Sequence, residues 1–237
     1  MKDRAISARK SEVKSRRDRP AKAALSRNVI VSTAIELLSR EGLAGLSMRK
    51  VAAALDTGPA SLYVYVSNLE ELQAFVLDHA LGNVVLHDSE DAPWRDRLLT
   101  LLNAYLGALL SQPGIGQLSI KATPAGDNFL RFSEAIFGLL LEAGLTPINA
   151  ARGLDMFLLY CSAVAAELDT RRDRTASPFK ELTRAIDESI PESFPLIRKY
   201  RREIFTEEAP ERLNWAFDVL IAGMEATKEG GSALYRT

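Results

Sequence analysis

The chain has 237 residues, of which 47% are hydrophobic and 26% charged, and its formal net charge is -1. This length allows one large or two small domains with a sizeable core, and the composition is typical of a globular protein. One cysteine and two histidines exclude an internal disulfide and a zinc finger and argue against a metal site, and we find no apolar run of about 18 residues that would span a membrane.

The charge is divided unevenly along the chain. Residues 1–70 contain 13 Lys and Arg residues against 7 Asp and Glu, a balance of +6, whereas residues 71–237 have a balance of -7. A basic head on an acidic body is typical of a protein whose head binds nucleic acid, although a basic tail on an unrelated domain gives the same balance. Because the N-terminus lacks the apolar segment of an export signal, we expect a cytoplasmic protein.

Residues 1–25 are polar and lack apolar periodicity, which predicts a flexible basic N-terminal arm. Its cations can follow a phosphate backbone or enter a minor groove, or the arm can be a solvated tail. Ser26 is the predicted N-cap of the first helix, and Gly42 is its predicted C-terminal stop.

Two short helices joined by a tight turn are predicted between Leu46 and Val66. Ser47 is placed to cap the first helix, and Asp56-Thr57-Gly58-Pro59 ends it and starts the second, since Gly tolerates positive φ and Pro suits a first helical turn. Beside basic residues this is the layout of a helix-turn-helix, whose second helix enters the DNA major groove. The apolar stripes expected to face a core are Val51, Ala52 and Leu55 on the first helix and Leu62, Tyr63 and Val66 on the second.

The rest of the chain is predicted to be helical as well. Asn68 caps a helix that runs to about Leu86 and ties the head to the body, with Glu71 in a capping box and His79 on its apolar face. For His79 and His87 we expect structural or exposed positions rather than a ligand or catalytic role. Because no alternating strand pattern occurs, we predict an all-α fold. Further helices are expected at residues 94–110, 117–122, 127–143, 147–169, 179–190, 196–205 and 210–227.

About 50 residues of this pattern resemble the tetracycline-repressor (TetR) family of bacterial regulators. The resemblance implies a three-helix head at residues 26–72 that binds DNA, and a helical body at residues 73–230 that binds a small molecule and forms a homodimer. Binding of the small molecule would spread the heads and release the operator. The residues that carry the resemblance are 34–38, 41–43, 46–52, 55, 58–68 and 70–72.

The resemblance also assigns contacts to DNA. Arg49 would contact a base, and its fork suits guanine O6 and N7, although an Arg here can also be a free surface residue. Tyr63 is placed to contact either phosphate or only the core. Where the family usually has a Lys, this chain has Leu69, which leaves phosphate binding to the helix N-terminus and Asn68 or to the N-terminal arm. The expected base-facing residues are Pro59, Ala60, Ser61 and Tyr65, and the expected phosphate contacts are Ser47, Lys50 and Tyr63.

The body is predicted to hold both an effector pocket and a dimer interface. We expect the helices at 147–169 and 210–227 to form a four-helix interface with their symmetry mates, in which Gly223 permits close approach. An apolar or amphipathic effector is expected, and no cofactor or metal. The candidate pocket residues, each of which can also be ordinary core, are Tyr105, Phe129, Phe132, Phe137, Met156 and Tyr160. The candidate interface residues are Leu154, Leu158, Cys161, Phe217, Leu220 and Met224.

These patterns predict a ligand-responsive transcription regulator, most simply a repressor on a palindromic operator. The alternatives are a helical enzyme or a protein-binding adaptor that carries a helix-turn-helix. No P-loop, Gly-rich nucleotide motif or nucleophile elbow is present, and Cys161 falls on an apolar stripe where an inert buried thiol is expected. The basic head argues against an adaptor.

Overall fold

The computed structural model describes residues 24–86, 91–172, 180–189, 192–204 and 209–226. Within these ranges the chain is helical and contains no β-strand, which confirms the predicted all-α class. Most of the predicted N-terminal arm, and His87, lie outside the described residues. The helices are α1 (Arg27–Glu41), α2 (Met48–Ala54), α3 (Pro59–Leu62), α4 (Leu69–Leu81), α5 (Trp94–Leu109), α6 (Ile115–Ser119), α7 (Asp127–Glu142), α8 (Pro147–Arg172), α9 (Lys180–Glu188), α10 (Pro195–Lys199), α11 (Arg201–Ile204) and α12 (Ala209–Ala226).

The first three helices form the head. Ser26 caps α1 as predicted, because its hydroxyl accepts the Val29 N–H at 3.4 Å. A turn of 3-10 helix at Leu43–Gly45 leads to α2, and α1 packs against both α2 and α4. The fully buried Ile30, Ala34 and Leu38 of α1 form the centre of the head, so its three helices are held by one apolar cluster.

Helix α8 is the centre of the body. It packs against α5, α6, α7 and α12, and its side chains Phe157 and Cys161 are fully buried. The ring of Phe217 from α12 meets Phe157 edge-on at 6.0 Å and Tyr160 at 5.9 Å. Since α4 packs against α1 as well as against α5, α6 and α7, the core of the head continues into the core of the body.

Several predicted boundaries are wrong by part of a turn or more. Helix α4 ends at Leu81 instead of about Leu86, because the chain leaves the helix at Gly82. The helix predicted at 196–205 consists of two short helices, α10 and α11, separated at Tyr200. His79 is exposed, so it does not belong to the apolar face of α4.

No helix within the described ranges is both long and apolar enough to cross a membrane.

Candidate functional site

The turn between α2 and α3 brings the two short helices together. Ser47 caps α2, since its hydroxyl accepts the Lys50 N–H at 3.3 Å. The left-handed residue of the turn is Asp56, with φ of 49°, whereas Gly58 has φ of -83°. The expectation that the glycine would supply the positive φ is therefore wrong, and Asp takes this role because its short polar side chain tolerates that region. Pro59 occupies the first turn of α3 as predicted.

One face of α3 packs on the head and the other faces solvent. Leu62 of α3 and Val66, which follows it, are fully buried in the apolar core. Pro59 and Ala60 are exposed, and Tyr63 is 55% exposed. Tyr63 therefore does not belong to the buried stripe that the spacing predicted.

Two further predicted contact residues are partly buried and partly exposed. Tyr65 is half-buried and packs against the core of the head, and Ser61 is also half-buried. Leu69, at the first position of α4, likewise packs partly against the core. This packing gives the apolar side chain at position 69 a structural role that a lysine would not fulfil in the same way.

The cations of α2 differ in their surroundings. Lys50 Nζ lies 2.8 Å from Glu41 Oε2, and the hydrogen bond and charge of Lys50 lower the pKa of the Glu41 carboxyl. Arg49 is exposed and has no ion-pair partner within the described part of the chain. Arg49 is therefore the cation of α2 that is available to an incoming anion or base, whereas Lys50 has to leave or share Glu41.

Helix α4 begins with a capping arrangement close to the predicted one. Asn68 Oδ1 accepts the Glu71 N–H at 2.8 Å, and the Glu71 carboxylate accepts the Ser67 N–H, which lowers the pKa of Glu71. The side chain of Glu71 thus reaches one residue further back than in the standard capping box. The exposed Asn68 is fixed at the N-terminus of α4 by this hydrogen bond.

A carboxylate near the end of α4 fastens this helix, which connects the head to the body, to α7. Asp78 Oδ1 accepts the Phe129 N–H at 2.9 Å, and its Oδ2 accepts from the Asn128 side chain at 3.0 Å. A Cβ on Gly126 would lie 2.3 Å from the Asp78 carboxyl carbon, so only glycine allows this close approach. The N-terminus of α7 is therefore held directly by α4.

A second link between head and body passes through α6. Asp169 on α8 is 2% exposed, and its Oδ2 accepts the N–H groups of Gly114 at 2.8 Å and Gln117 at 3.2 Å. Gly114 has φ of 89°, and a Cβ there would lie 2.7 Å from Leu38 of α1. The start of α6 is therefore fixed between α8 and the first helix of the head.

Two adjoining cavities lie along α7. One, of about 390 Å³, is between α5 and α7, and the other, of about 270 Å³, is between the end of α4 and α7; Leu86 borders both. The first has the buried Leu101 and Leu139 in its wall. Its charged lining consists of Asp96, Arg97, Glu134 and Glu142. Within the described residues no group of three or more His, Cys, Asp or Glu side chains is arranged to hold a metal ion.

The predicted pocket residues do not gather around one cavity. Phe132 borders the smaller cavity, but its ring stacks on Tyr105 at 4.8 Å, and both are buried; burial raises the pKa of Tyr105 to about 12. Met156 is 44% exposed on the outside of α8. The side chains that line one cavity or the other are mainly small, aliphatic or charged. The sequence analysis missed most of them because it selected mainly aromatic residues. Phe129, Phe137 and Tyr160 are half-buried against the core.

The predicted interface residues lie largely inside the protomer. Cys161 and Phe217 are fully buried and Met224 nearly so, whereas Leu154, Leu158 and Leu220 are half-buried against the core. The outer surfaces of α8 and α12 carry other apolar side chains that the sequence analysis did not select. These are Ile148, Met156 and Leu159 on α8 and Trp215 and Val219 on α12.

Two family models match the chain. Residues 30–73 match the model described as bacterial regulatory proteins, tetR family, and residues 87–228 match the tetracyclin repressor-like C-terminal domain. An HTH-type transcriptional regulator of Saccharopolyspora erythraea is 36% identical over 174 residues, which cover 72% of this chain and 74% of the relative.

Solved structures agree with this assignment. ActR of Streptomyces coelicolor, in complex with actinorhodin, is 30% identical and has a TM-score of 0.79, with 87% of this chain and all of ActR covered. Mycobacterium smegmatis BioQ, solved with a double-stranded DNA operator, is 20% identical with a TM-score of 0.60, covering 85% of this chain and 99% of BioQ. The likeness to BioQ shows the fold alone.

Proposed function

Since this chain belongs to the tetR family of bacterial regulatory proteins, we propose that it is a repressor that a small molecule releases from a palindromic DNA operator. The observation that carries the proposal is the solvent-exposed face of the head. There Arg49, which has no ion-pair partner within the described part of the chain, is exposed, as are Pro59 and Ala60 of α3 and Asn68 at the capped N-terminus of α4. A short helix that exposes one face next to cations and a helix N-terminus is the geometry with which helix-turn-helix proteins enter the major groove.

In the proposed complex Arg49 donates to guanine O6 and N7. The other contacts set the position of the head on the duplex and do not by themselves select a sequence. Residues proposed to contact phosphate are Ser47, Lys50, Tyr63 and Asn68, and residues proposed to face bases are Pro59, Ala60, Ser61 and Tyr65.

The proposed effector site is the pair of cavities along α7. Their volumes, about 390 and 270 Å³ with a shared border at Leu86, together reach the size usual for small-molecule sites. ActR binds actinorhodin in a fold like this one, which supports a ligand-binding body. Because α7 is fastened to α4 through Asp78, a ligand that moves α7 also moves the helix on which the head is mounted.

We propose that the protein acts as a cytoplasmic homodimer through α8 and α12, without a catalytic step. The exposed apolar side chains of these two helices, among them Leu159 at 62% and Trp215 at 67%, support a symmetric interface. Two heads on one dimer then require half-sites about 34–36 Å apart, or a multiple of that spacing.

A mobility-shift titration with the DNA upstream of the protein's own gene tests the proposal. We expect sequence-preferring binding whose affinity falls steeply with added salt. Arg49→Ala is expected to lose about 1–3 kcal/mol of binding free energy, whereas Arg184→Ala, the same change at an exposed site of the body, leaves it unchanged. Absence of any sequence preference at low salt would refute the assignment.

A further inference from the structure

The exposed face formed by α3 and the turn that follows it at residues 63–65 is almost entirely apolar. Val64 is 78% exposed, the highest fraction among the large apolar side chains of the described residues, and Tyr63 beside it is 55% exposed. Pro59 and Ala60, one helical turn earlier, are exposed as well. Helix α3 ends at Leu62, but Tyr63 keeps a helical backbone with φ of -66° and ψ of -10°, and the Val66 N–H donates to the Leu62 carbonyl at 3.0 Å. The turn that follows α3 therefore continues its winding, and Tyr63 and Val64 extend the exposed strip that begins with Pro59 and Ala60.

The strip lacks the side chains that usually recognise bases by hydrogen bonding. Arg or Lys pairs with guanine and Asn or Gln with adenine, and none of these four types is present on it. Its one hydrogen-bonding group is the Tyr63 hydroxyl. The flanking helix supplies the charge, because Arg49 on α2 is exposed and has no ion-pair partner within the described ranges.

An apolar strip on a DNA-facing helix has one apolar counterpart in the major groove, the C5-methyl group of thymine. Resting on the function proposed above, we propose that Val64, with Ala60 on the same face, packs on a thymine methyl group in each operator half-site. Sequence preference under α3 then comes from methyl contact, and hydrogen-bonded recognition comes from Arg49. Val64 is thus a specificity-determining residue that the sequence analysis left unassigned.

The size of the expected effect follows from the group that is removed. Deoxyuridine differs from thymidine only in the absence of the methyl group, so the hydrogen-bonding edge of the base pair stays the same. A buried methyl contributes about as much as a buried methylene, which corresponds to about a fourfold change in the dissociation constant. The corresponding truncation in the protein is Val64→Ala, and its wide exposure means that the fold does not depend on it.

The experiment begins with selection of bound duplexes from a random-sequence DNA library by the full-length protein. The best selected duplex is then synthesised with thymidine and with deoxyuridine at each thymine of the protected half-site in turn, and once with deoxyuridine outside the protected region. Dissociation constants are measured for the wild type, for Val64→Ala and for Val85→Ala. Val85 is 60% exposed in the segment between α4 and α5, which makes it a matched control distant from α3.

We expect the wild type and Val85→Ala to bind about fourfold more weakly when deoxyuridine replaces thymidine at one position or more of each half-site. Val64→Ala is expected to bind the thymidine and deoxyuridine duplexes equally. The duplex substituted outside the protected region is expected to bind normally. Equal binding of thymidine and deoxyuridine duplexes by the wild type, or discrimination that persists in Val64→Ala, overturns the methyl contact while the DNA-binding function stands. If selection enriches no sequence, the proposed function fails together with this inference.

Discussion

At the scale of single residues, the buried thiol of Cys161 makes a prediction about alkaline stability. Burial raises its pKa from 9.0 to about 12, so the unfolded chain releases this proton at lower pH than the native protein. Stability is therefore full below pH 9 and falls as the pH rises toward 12, by at most about 1.4 kcal/mol per pH unit from this group.

Between pH 9 and 10, the free energy of unfolding of Cys161→Ala in urea is expected to depend less on pH than that of the wild type, since the contribution of Tyr105 is common to both proteins. An identical slope in both proteins would mean that the thiol is not desolvated. In the native wild type at pH 8, a thiol reagent is expected to label Cys161 only at the rate of unfolding.

Leu69 gives a prediction about phosphate contact. Leu69→Lys places an ammonium at the first position of α4, where the family usually carries a cation. We expect the salt dependence of DNA binding to steepen by about 1.8 in log–log slope, because each of the two heads of the dimer neutralises one more phosphate. Thermal stability is expected to fall, because the side chain packs partly on the core and a cation opposes the helix dipole there. Leu69→Met is the uncharged control, and an unchanged slope would mean that position 69 does not approach phosphate.

At the scale of elements, the short helix α6 depends on a side chain from another helix. Asp169→Ala leaves the Gly114 and Gln117 N–H groups without their acceptor. We expect a loss on the order of 3 kcal/mol in urea unfolding, because an unsatisfied buried donor costs about 1–3 kcal/mol. Asp155→Ala, at an exposed site of α8, is the control with no expected loss. Equal stability of both variants would show that Asp169 does not hold α6.

The junction of α4 and α7 predicts a non-additive pair of substitutions. Gly126→Ala places a Cβ 2.3 Å from the Asp78 carboxyl carbon and is expected to destabilise the wild type. In the Asp78→Ala background the clash is absent, so Gly126→Ala is expected to lower the free energy of unfolding by at least about 0.5–1 kcal/mol less than in the wild type. This difference is the lower end of the coupling energies typical of residues in contact. A double-mutant cycle in urea measures this difference, and strict additivity would contradict the contact.

At the scale of the whole molecule, the outer surfaces of α8 and α12 predict how the protein associates. Val219→Glu introduces a charge at a position that is 48% exposed in the protomer, so we expect a folded monomer in sedimentation. This variant separates association from folding better than a charge at Leu220, which packs partly on the core. Ile120→Glu, at 50% exposure at the C-terminal end of α6, is expected to remain dimeric. Sedimentation of Val219→Glu as a dimer would exclude this interface.

Much of the head was predictable because its signals are local. The caps Ser26, Ser47 and Asn68 act within three residues of themselves, and the α2–turn–α3 pattern is contained in about twenty. The end of α4 was missed because the apolar residues after Gly82 continue a helical spacing that the backbone does not follow. For Tyr63 the sequence leaves phosphate contact and core packing open, because an aromatic at helical spacing has the same pattern whichever face it occupies.

The sequence by itself determined the all-α class, the order of the main helices and the DNA-binding head, because periodicity and capping depend on neighbouring residues. Only the tertiary structure decided which helix faces are exposed, where the cavities lie and how the head is fastened to the body. Asp78 contacts Phe129 of α7, which is 51 residues further along the chain, and Asp169 contacts Gly114, which is 55 residues earlier. Such contacts depend on the relative placement of helices, which no local pattern encodes.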